Sequence, residues 1–340
     1  PGRLAHVNVM ACTFFSTVSG SSAATTATVG RITLTELLSR GYDRSLVTGS
    51  LAGAGTLGFL IPPSIVMIIY AVLAEVSLLR LFLAGVVPGL LMAGAFMGWI
   101  ALRCILNPAL MPDDRVSYRL SERIGALRHL LPIMLLMALV LGSMYGGIAS
   151  PTEAAAMGVL GALLLAGFSG TLTLRTLGIA FFKAARTSSF IGMIVAGASF
   201  LSLGMGYLGI PAAIASAIAA LKLAPFALIA VLVVFYVLLG FVLEGLAVLV
   251  LTLPITLPLV TAAGFDPIWF GVFVIITIET AQITPPVGFN LFVSQSLTRD
   301  SIGQIARNAL PFLSIMVAVA LLLALLPEIA LWLPNFVFNR

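Results

Sequence analysis

Charged side chains are scarce in this sequence, since Asp, Glu, Lys and Arg together make up only 9% of its 340 residues. Soluble domains carry about 25% charged residues, so this composition excludes an ordinary soluble globular protein. Hydrophobic residues account for 61% of the chain, and the mean hydropathy is +1.18. A helix needs about 20 mostly apolar residues to cross a membrane, and the chain contains many such runs. The composition therefore predicts one polytopic protein within a lipid bilayer.

Cysteine, histidine and the usual catalytic motifs are also scarce or missing. Cys12 and Cys104 lie in or beside apolar segments, so they offer neither a disulfide framework nor metal-ligand spacing. His6 and His129 have no metal-ligating neighbours in the sequence. The H-E-x-x-H, P-loop and G-x-S-x-G motifs are absent. We therefore expect neither an enzyme nor a bound cofactor.

Two apolar stretches carry the same interruption, a Pro-Pro pair inside a membrane-length segment. The pair Pro62-Pro63 interrupts the run Gly55–Ser64, and the pair Pro285-Pro286 interrupts the run Glu279–Gly288. Such a pair removes two helical N–H donors and clashes with the preceding turn, so the helix opens there. In hydrocarbon, freed carbonyls are tolerated only where they face protein, water or an ion. Paired interruptions in two halves of a chain predict the binding site of a secondary transporter.

A polar tip precedes each interrupted segment and predicts a re-entrant helical hairpin. The first tip is the Gly/Ser cluster Ser19–Ser22, and the second is the pair Glu244-Gly245. Pro62 follows Gly20 by 42 positions, and Pro285 follows Gly245 by 40. We interpret this spacing as a repeat. The fold class predicted is all-α and polytopic, with two re-entrant hairpins and two Pro-Pro-broken helices.

The distribution of positive charge predicts topology. With the first hairpin opening to the cytoplasm, fourteen of the 17 Lys and Arg residues fall on the cytoplasmic side and three on the outer side. This bias is typical of membrane proteins. It makes the second hairpin enter from outside, so the two repeats are inverted. The net charge of +5 therefore indicates membrane orientation rather than nucleic-acid binding.

The remaining segments divide the chain into four predicted parts. The first part, residues 1–75, contains the first-repeat transport elements, and the third, residues 189–297, contains the second-repeat elements. The second part, residues 76–188, contains scaffold-type spans, a cytoplasmic loop and an amphipathic, interfacial helix at 171–188. The fourth part, residues 298–340, consists of a polar connection at 299–309 and a last span at 310–334. Because residue 1 is Pro rather than Met, we expect the sequence to be a fragment of a longer chain.

Oxygen atoms at the tips and breaks form two candidate cages for sodium, a hard cation that prefers oxygen ligands. Glycine lets carbonyl oxygens approach a ligand closely, although small residues at a tip are also typical of helix packing. The first cage comprises Ser19, Gly20, Ser21, Ser22, Gly55, Thr56 and Gly58; the second comprises Glu244, Gly245, Thr280, Ile283 and Thr284.

Two acids, Glu244 and Glu279, lie well inside apolar segments. An isolated carboxylate there costs at least ~2.5 kcal/mol, so each acid either helps to hold a cation or proton, or is a buried hydrogen-bonded group. Half-helix N-termini at Ser64 and Val287 direct partial positive charge toward the midplane and favour an anionic substrate. Candidate substrate contacts are Pro62, Ser64, Pro285 and Asn290, of which Asn290 could equally make an interhelical hydrogen bond.

Several motifs together resemble the large membrane subunit of TRAP (tripartite ATP-independent periplasmic) transporters, and the resemblance extends over essentially the whole chain. The motifs are the Ser19-Gly-Ser-Ser-Ala tip, the runs Gly55–Ser64, Gly147–Ala156 and Ile283–Leu291, and the tail Leu310–Pro334. The resemblance implies sodium-driven uptake of an organic acid, such as a C4-dicarboxylate or sialic acid, across the bacterial inner membrane by an elevator motion. It also implies two partners, a periplasmic solute-binding protein and a small membrane subunit, with sodium sites at the hairpin tips and unwound helices. Members of the family are longer at the N-terminus.

Two other interpretations stay open at this point. The chain could be a stand-alone ion-coupled anion transporter of the same superfamily, which works without a binding protein. It could also be a membrane scaffold that transports nothing. A scaffold predicts that substitutions at Thr284 and Ser21 leave transport unchanged.

Overall fold

The computed structural model describes residues 2–112, 120–210, 212–214, 216, 225–286, 288–298 and 300–338. The described residues form fifteen α-helices and two short 3-10 turns, with no strand among them. Five of these helices are long and apolar enough to cross a membrane, and a bent pair adds a sixth candidate. The prediction of an all-α polytopic protein is confirmed. The chain forms two compact units, one of Pro1–Asp113 with Val195–Arg340 and the other of Asp114–Ile194.

The first tip joins two antiparallel helices, α1 (His6–Ser19) and α2 (Ser22–Ser39). Gly20 adopts the left-handed conformation with φ of +57°, which a residue without Cβ does at no steric cost. Ser21 caps α2, because its hydroxyl accepts a hydrogen bond from the backbone N–H of Ala24. The predicted helix–turn–helix is confirmed at this tip; its re-entrance into a membrane stays a prediction.

The first broken segment consists of α3 (Arg44–Gly55), α4 (Leu57–Leu60) and α5 (Ile65–Leu73). The chain bends by 41° between Leu60 and Ile65, around the predicted proline pair. Ser64 then restarts the helix by accepting a hydrogen bond from the N–H of Met67. The long helix α6 (Leu78–Leu106) follows.

The second unit contains α7 (Leu120–Tyr145), α8 (Pro151–Phe168) and the first part of α9 (Leu174–Tyr207). The structure overturns the division of this last region into an interfacial helix at 171–188 and a separate span, since α9 runs through position 188 without a break. The sequence changes from an amphipathic to an apolar pattern near position 188, which suggested a boundary there. No proline occurs between 174 and 207 to end the helix, however, so the helix continues through this change.

The second repeat comprises α10 (Pro225–Gly240), α11 (Gly245–Ala262), α12 (Pro267–Gln282) and α13 (Phe289–Thr298). Its helical hairpin, α10 with α11, turns at the predicted Glu244-Gly245 tip. Its broken helix opens between Gln282 and Phe289, as predicted from the proline pair. The order of hairpin, broken helix and long helix therefore occurs twice.

Two helices complete the described chain, α14 (Ile302–Leu325) and α15 (Glu328–Phe338). The polar connection predicted at 299–309 is too long, since α14 already begins at Ile302, and the span predicted at 310–334 is divided between two helices. Ser301 starts α14 eight residues or so earlier because its hydroxyl caps the N–H of Gln304. Pro327 then separates α14 from α15, since proline cannot continue the helix.

The two repeats interlock within the first unit. The hairpin helix α2 packs against α13, and its counterpart α11 packs against α5, so each hairpin contacts the half-helix after the break of the other repeat. Likewise α14 packs on α3 and α6 packs on α12. Helix α12 lies at the centre, because every residue from Trp269 to Gln282 is buried. The acid Glu279 is therefore enclosed by protein rather than facing lipid.

Candidate functional site

The first hairpin tip is seated directly on the first break, backbone against backbone. The N–H of Ile65 donates to the carbonyl of Gly20 at 3.4 Å. A Cβ added at Gly58 would lie 2.7 Å from the carbonyl oxygen of Ser21 and from the N and Cα of Ser22. Carbon atoms in contact are normally about 3.5–4.0 Å apart, so only glycine at position 58 allows this approach.

Ser22 is the point at which both repeats meet. Its Oγ lies 3.1 Å from the carbonyl oxygen of Gly55 and 2.9 Å from Oε2 of Glu279. The amide Nδ2 of Asn290 donates to the same Oγ at 2.5 Å. A hydroxyl has one proton and two acceptor positions, so Ser22 donates to either the carbonyl or the carboxylate. The cluster of these four residues, called here the Ser22 cluster, joins the first tip to both breaks.

The Ser22 cluster contains buried oxygen atoms that have no hydrogen-bond partner among the described residues. They are Oε1 of Glu279 and Oδ1 of Asn290, and Nε2 of Gln282 and Oγ of Ser294 are unpartnered on the same broken helix. Glu279 and Asn290 are each 1% exposed, and no described basic side chain pairs with Glu279. Buried polar groups are nearly always satisfied by protein, water or an ion. The carboxylate and amide oxygens therefore suit a small hard cation.

The second tip has a different environment. Glu244 is exposed, and its Oε2 accepts a hydrogen bond from the N–H of Leu246 at 3.1 Å, which caps α11. A Cβ at Gly245 would lie 2.8 Å from Cγ2 of Ile278 and 3.5 Å from Cε2 of Phe59. This tip therefore rests on the second broken helix and also touches the first break through Phe59.

The candidate threonine ligands donate their hydroxyl protons within their own helices. Thr56 donates to the carbonyl of Gly53 at 2.6 Å, Thr280 to Ile276 at 2.7 Å and Thr284 to Thr280 at 2.7 Å. Each hydroxyl oxygen keeps lone pairs that could face a cation. Ser19 is engaged within the hairpin, because its Oγ lies 2.7 Å from Oγ1 of Thr25. Ile283 is fully buried just before the second proline pair.

The candidate substrate contacts lie at the two breaks and differ in their exposure. Ser64 is buried and caps α5, and Pro62 is buried beside it. Pro285 is exposed on the other break. Asn290 lies in the Ser22 cluster, where its amide makes an interhelical hydrogen bond to Ser22, and its role as a substrate contact stays a prediction. The described residues contain no group of three or more His, Cys, Asp or Glu that could hold a metal.

Sequence reasoning missed the partner of Glu279. The acid itself was recognisable from its position in an apolar segment, but the second cage was expected to form around Thr280–Thr284 and the second tip. The structure places Glu279 against the first tip instead. No local pattern signals a hydrogen bond between residues 257 positions apart.

Comparisons with known proteins agree over the whole chain. The family model "Tripartite ATP-independent periplasmic transporter, DctM component" matches residues 1–329. The C4-dicarboxylate TRAP transporter large permease protein DctM of Pseudomonas aeruginosa is 37% identical, over 98% of this chain and 78% of that protein. The protein of the same name from Rhodobacter capsulatus is 33% identical, over 98% and 79%. The ectoine/5-hydroxyectoine TRAP transporter large permease protein UehC of Ruegeria pomeroyi is 31% identical, over 100% and 79%.

Proposed function

The chain belongs to the DctM component family of tripartite ATP-independent periplasmic transporters, as its motifs predicted, and on this premise we propose that it couples sodium entry to organic-acid uptake. The family consists of transporter permeases and not of enzymes. Its permeases in general work with a periplasmic binding protein and a small membrane subunit. We propose the same partners for this chain, in the bacterial inner membrane.

The Ser22 cluster is the observation that carries the proposal of sodium coupling. It brings together a carboxylate, a hydroxyl, a side-chain amide and a backbone carbonyl, and the part of the chain that the structure describes offers no hydrogen-bond partner to Oε1 of Glu279 or Oδ1 of Asn290. Oxygen-only ligand sets favour hard cations over soft transition metals. A sodium ion held here would neutralise Glu279 in the low-dielectric interior, where an unpaired charge is costly.

An organic anion is the substrate class that the broken helices support. Ser64 is the N-cap of α5, and a helix N-terminus carries partial positive charge that attracts carboxylates. Two of the relatives named above are C4-dicarboxylate permeases. We therefore propose a C4-dicarboxylate or a similar carboxylic acid as the transported molecule.

An elevator motion is the transport mechanism that we propose. The hairpins and broken helices interlock across the two repeats, so an independent displacement of one hairpin would disrupt contacts in both. A packed block of this kind moves as a rigid body more readily than it deforms. Cation binding at the Ser22 cluster would hold the block together while the substrate is carried.

Uptake by proteoliposomes tests the proposal. The permease is reconstituted with its small membrane subunit, and its binding protein is loaded with radiolabelled succinate outside. We expect accumulation when sodium is higher outside, and none when choline replaces sodium. Equal uptake in both media would overturn sodium coupling. Uptake without the binding protein would favour a stand-alone transporter.

A further inference from the structure

A polar cavity lies away from the Ser22 cluster, where helices α3, α6 and α14 come together. Its volume is about 210 Å³. Arg103, in the last turn of α6, and Arg307, near the start of α14, both line it. Ser45, Trp99, Asn308 and Phe312 also line it. Two arginines from different helices therefore line the same cavity.

Neither arginine of this cavity forms an ion pair with an acid among the described residues, whose ion pairs are Arg40–Glu36 and Arg44–Asp300. The guanidinium carbon of Arg103 lies 5.9 Å from the ring centre of Trp99. Arg44, one helix away, shows the contrast, because its Nε lies 2.9 Å from Oδ1 of Asp300. Two like charges lining one cavity repel each other unless an anion lies between them.

The acid closest in sequence to the cavity lining is already engaged. Asp43 accepts hydrogen bonds from the N–H of Leu46 at 3.0 Å and from the hydroxyl of Ser45. It caps α3 and does not pair with either arginine of the cavity. The cavity therefore keeps a positive lining that an anion could complete.

The residues around Arg103 are apolar and lie on α6, which is long and apolar enough to cross a membrane. Leu102, Ile105 and Leu106, the neighbours of Arg103 on α6, are 45%, 60% and 72% exposed. Trp99 and Phe312 form the apolar wall, and aromatic and arginine side chains together are typical of the membrane interface. An occupant with both a phosphate and a glycerol or acyl portion fits this lining better than a soluble anion does.

We propose that this cavity binds the headgroup phosphate of an anionic phospholipid, held by Arg103 and Arg307. Basic pockets between transmembrane helices on the cytoplasmic side are suited to such headgroups. The predicted topology places both arginines on that side. This site is separate from sodium coupling, and its test does not require transport.

Lipid binding to the purified permease, measured by native mass spectrometry, tests the proposal directly. The probe is phosphatidylglycerol, with phosphatidylcholine as the neutral comparison. We expect the double variant R103Q/R307Q to bind phosphatidylglycerol about 25-fold more weakly, at roughly fivefold per arginine. The matched control is R175Q/R186Q, which removes two exposed arginines of α9 and is expected to bind like the wild type.

A conservative variant distinguishes a loss of lipid binding caused by the missing positive charges from one caused by misfolding. R103K/R307K keeps both charges, and we expect it to retain affinity within about fivefold of the wild type. Equal binding of phosphatidylglycerol by R103Q/R307Q and by its control would overturn the proposal. So would equal binding of the two lipids by the wild type, or displacement of the lipid by millimolar inorganic phosphate, which would identify the cavity as a site for a soluble anion.

Discussion

The hydroxyl of Ser22 lies 2.9 Å from Oε2 of Glu279, so the tip of the first hairpin is bonded to the broken helix of the second repeat. Both side chains are almost fully buried, at 3% and 1% exposure. In a low-dielectric interior this contact is stronger than it would be in water. The contact connects the two halves of the chain at the place where the cation is proposed to bind.

Removing the Ser22 hydroxyl is expected to destabilise the protein. The variant Ser22→Ala leaves the Glu279 carboxylate and the Asn290 amide without this partner, and each unsatisfied buried group costs about 1–3 kcal/mol. We expect the free energy of unfolding in detergent to fall by about 2 kcal/mol or more. Ser296→Ala, on an exposed site of α13, is the control and should change it by less than about 0.5 kcal/mol. Equal effects of the two substitutions would contradict the contact.

A double-mutant cycle checks that the effect of Ser22 passes through Glu279. If the two side chains interact, Ser22→Ala combined with Glu279→Gln should cost less than the sum of the single changes. Coupling energies between contacting residues are about 0.5–3 kcal/mol. Strict additivity of the unfolding free energies would show that the hydrogen bond contributes nothing to stability.

The close approach of the first tip to the first break depends on glycine. Gly58→Ala would place a methyl group 2.7 Å from the carbonyl oxygen of Ser21 and from the N and Cα of Ser22. These are all backbone atoms, which cannot rotate away as a side chain could. Overpacking of this kind typically costs about 1–3 kcal/mol. We expect succinate uptake by Gly58→Ala proteoliposomes to fall at least about tenfold. Gly98→Ala is the matched control, since a Cβ there meets nothing within 4 Å; unchanged uptake by Gly58→Ala would argue against a tightly seated tip.

The sequence predicted the local backbone of the site but not its long-range pairing. The proline pairs and the Ser19–Ser22 cluster determine the backbone conformation of the turns in which they lie. Their positions in the sequence therefore predicted both breaks and the first tip. The bond from Ser22 to Glu279 depends on the packing of two repeats, for which no neighbouring residue carries a signal. The same reasoning explains the misplaced start of α14: polar residues near a membrane helix indicate a loop by composition, although Ser301 caps a helix there.

The hydroxyl of Thr284 is predicted to contribute to sodium dependence. Its proton is donated to the Thr280 carbonyl, which leaves the oxygen lone pairs available. We expect Thr284→Ala to raise the sodium concentration for half-maximal uptake by about fivefold or more, and Thr284→Ser to restore it. Thr261→Ala removes the same kind of hydroxyl-to-carbonyl bond from an exposed position and should have no effect. If Thr284→Ala leaves uptake and its sodium dependence intact, the scaffold interpretation gains support.

The ion pair between Arg44 and Asp300, at the end of the broken helices away from the Ser22 cluster, is predicted to stabilise the contact between the repeats in a salt-dependent way. Arg44 Nε lies 2.9 and 3.0 Å from the two carboxylate oxygens of Asp300, and its Nη2 donates to the carbonyl of Thr298 at 2.6 Å. The arginine side chain is 48% exposed, so solvent screens the pair. We therefore expect a double-mutant cycle of Arg44→Gln with Asp300→Asn to give a coupling energy of only about 0.2–1 kcal/mol. Raising the salt concentration from 0.1 to about 1 M shortens the Debye length to about 3 Å, so the coupling should shrink. A coupling above about 2 kcal/mol that ignores salt would mean that the pair is buried when the protein is in its membrane.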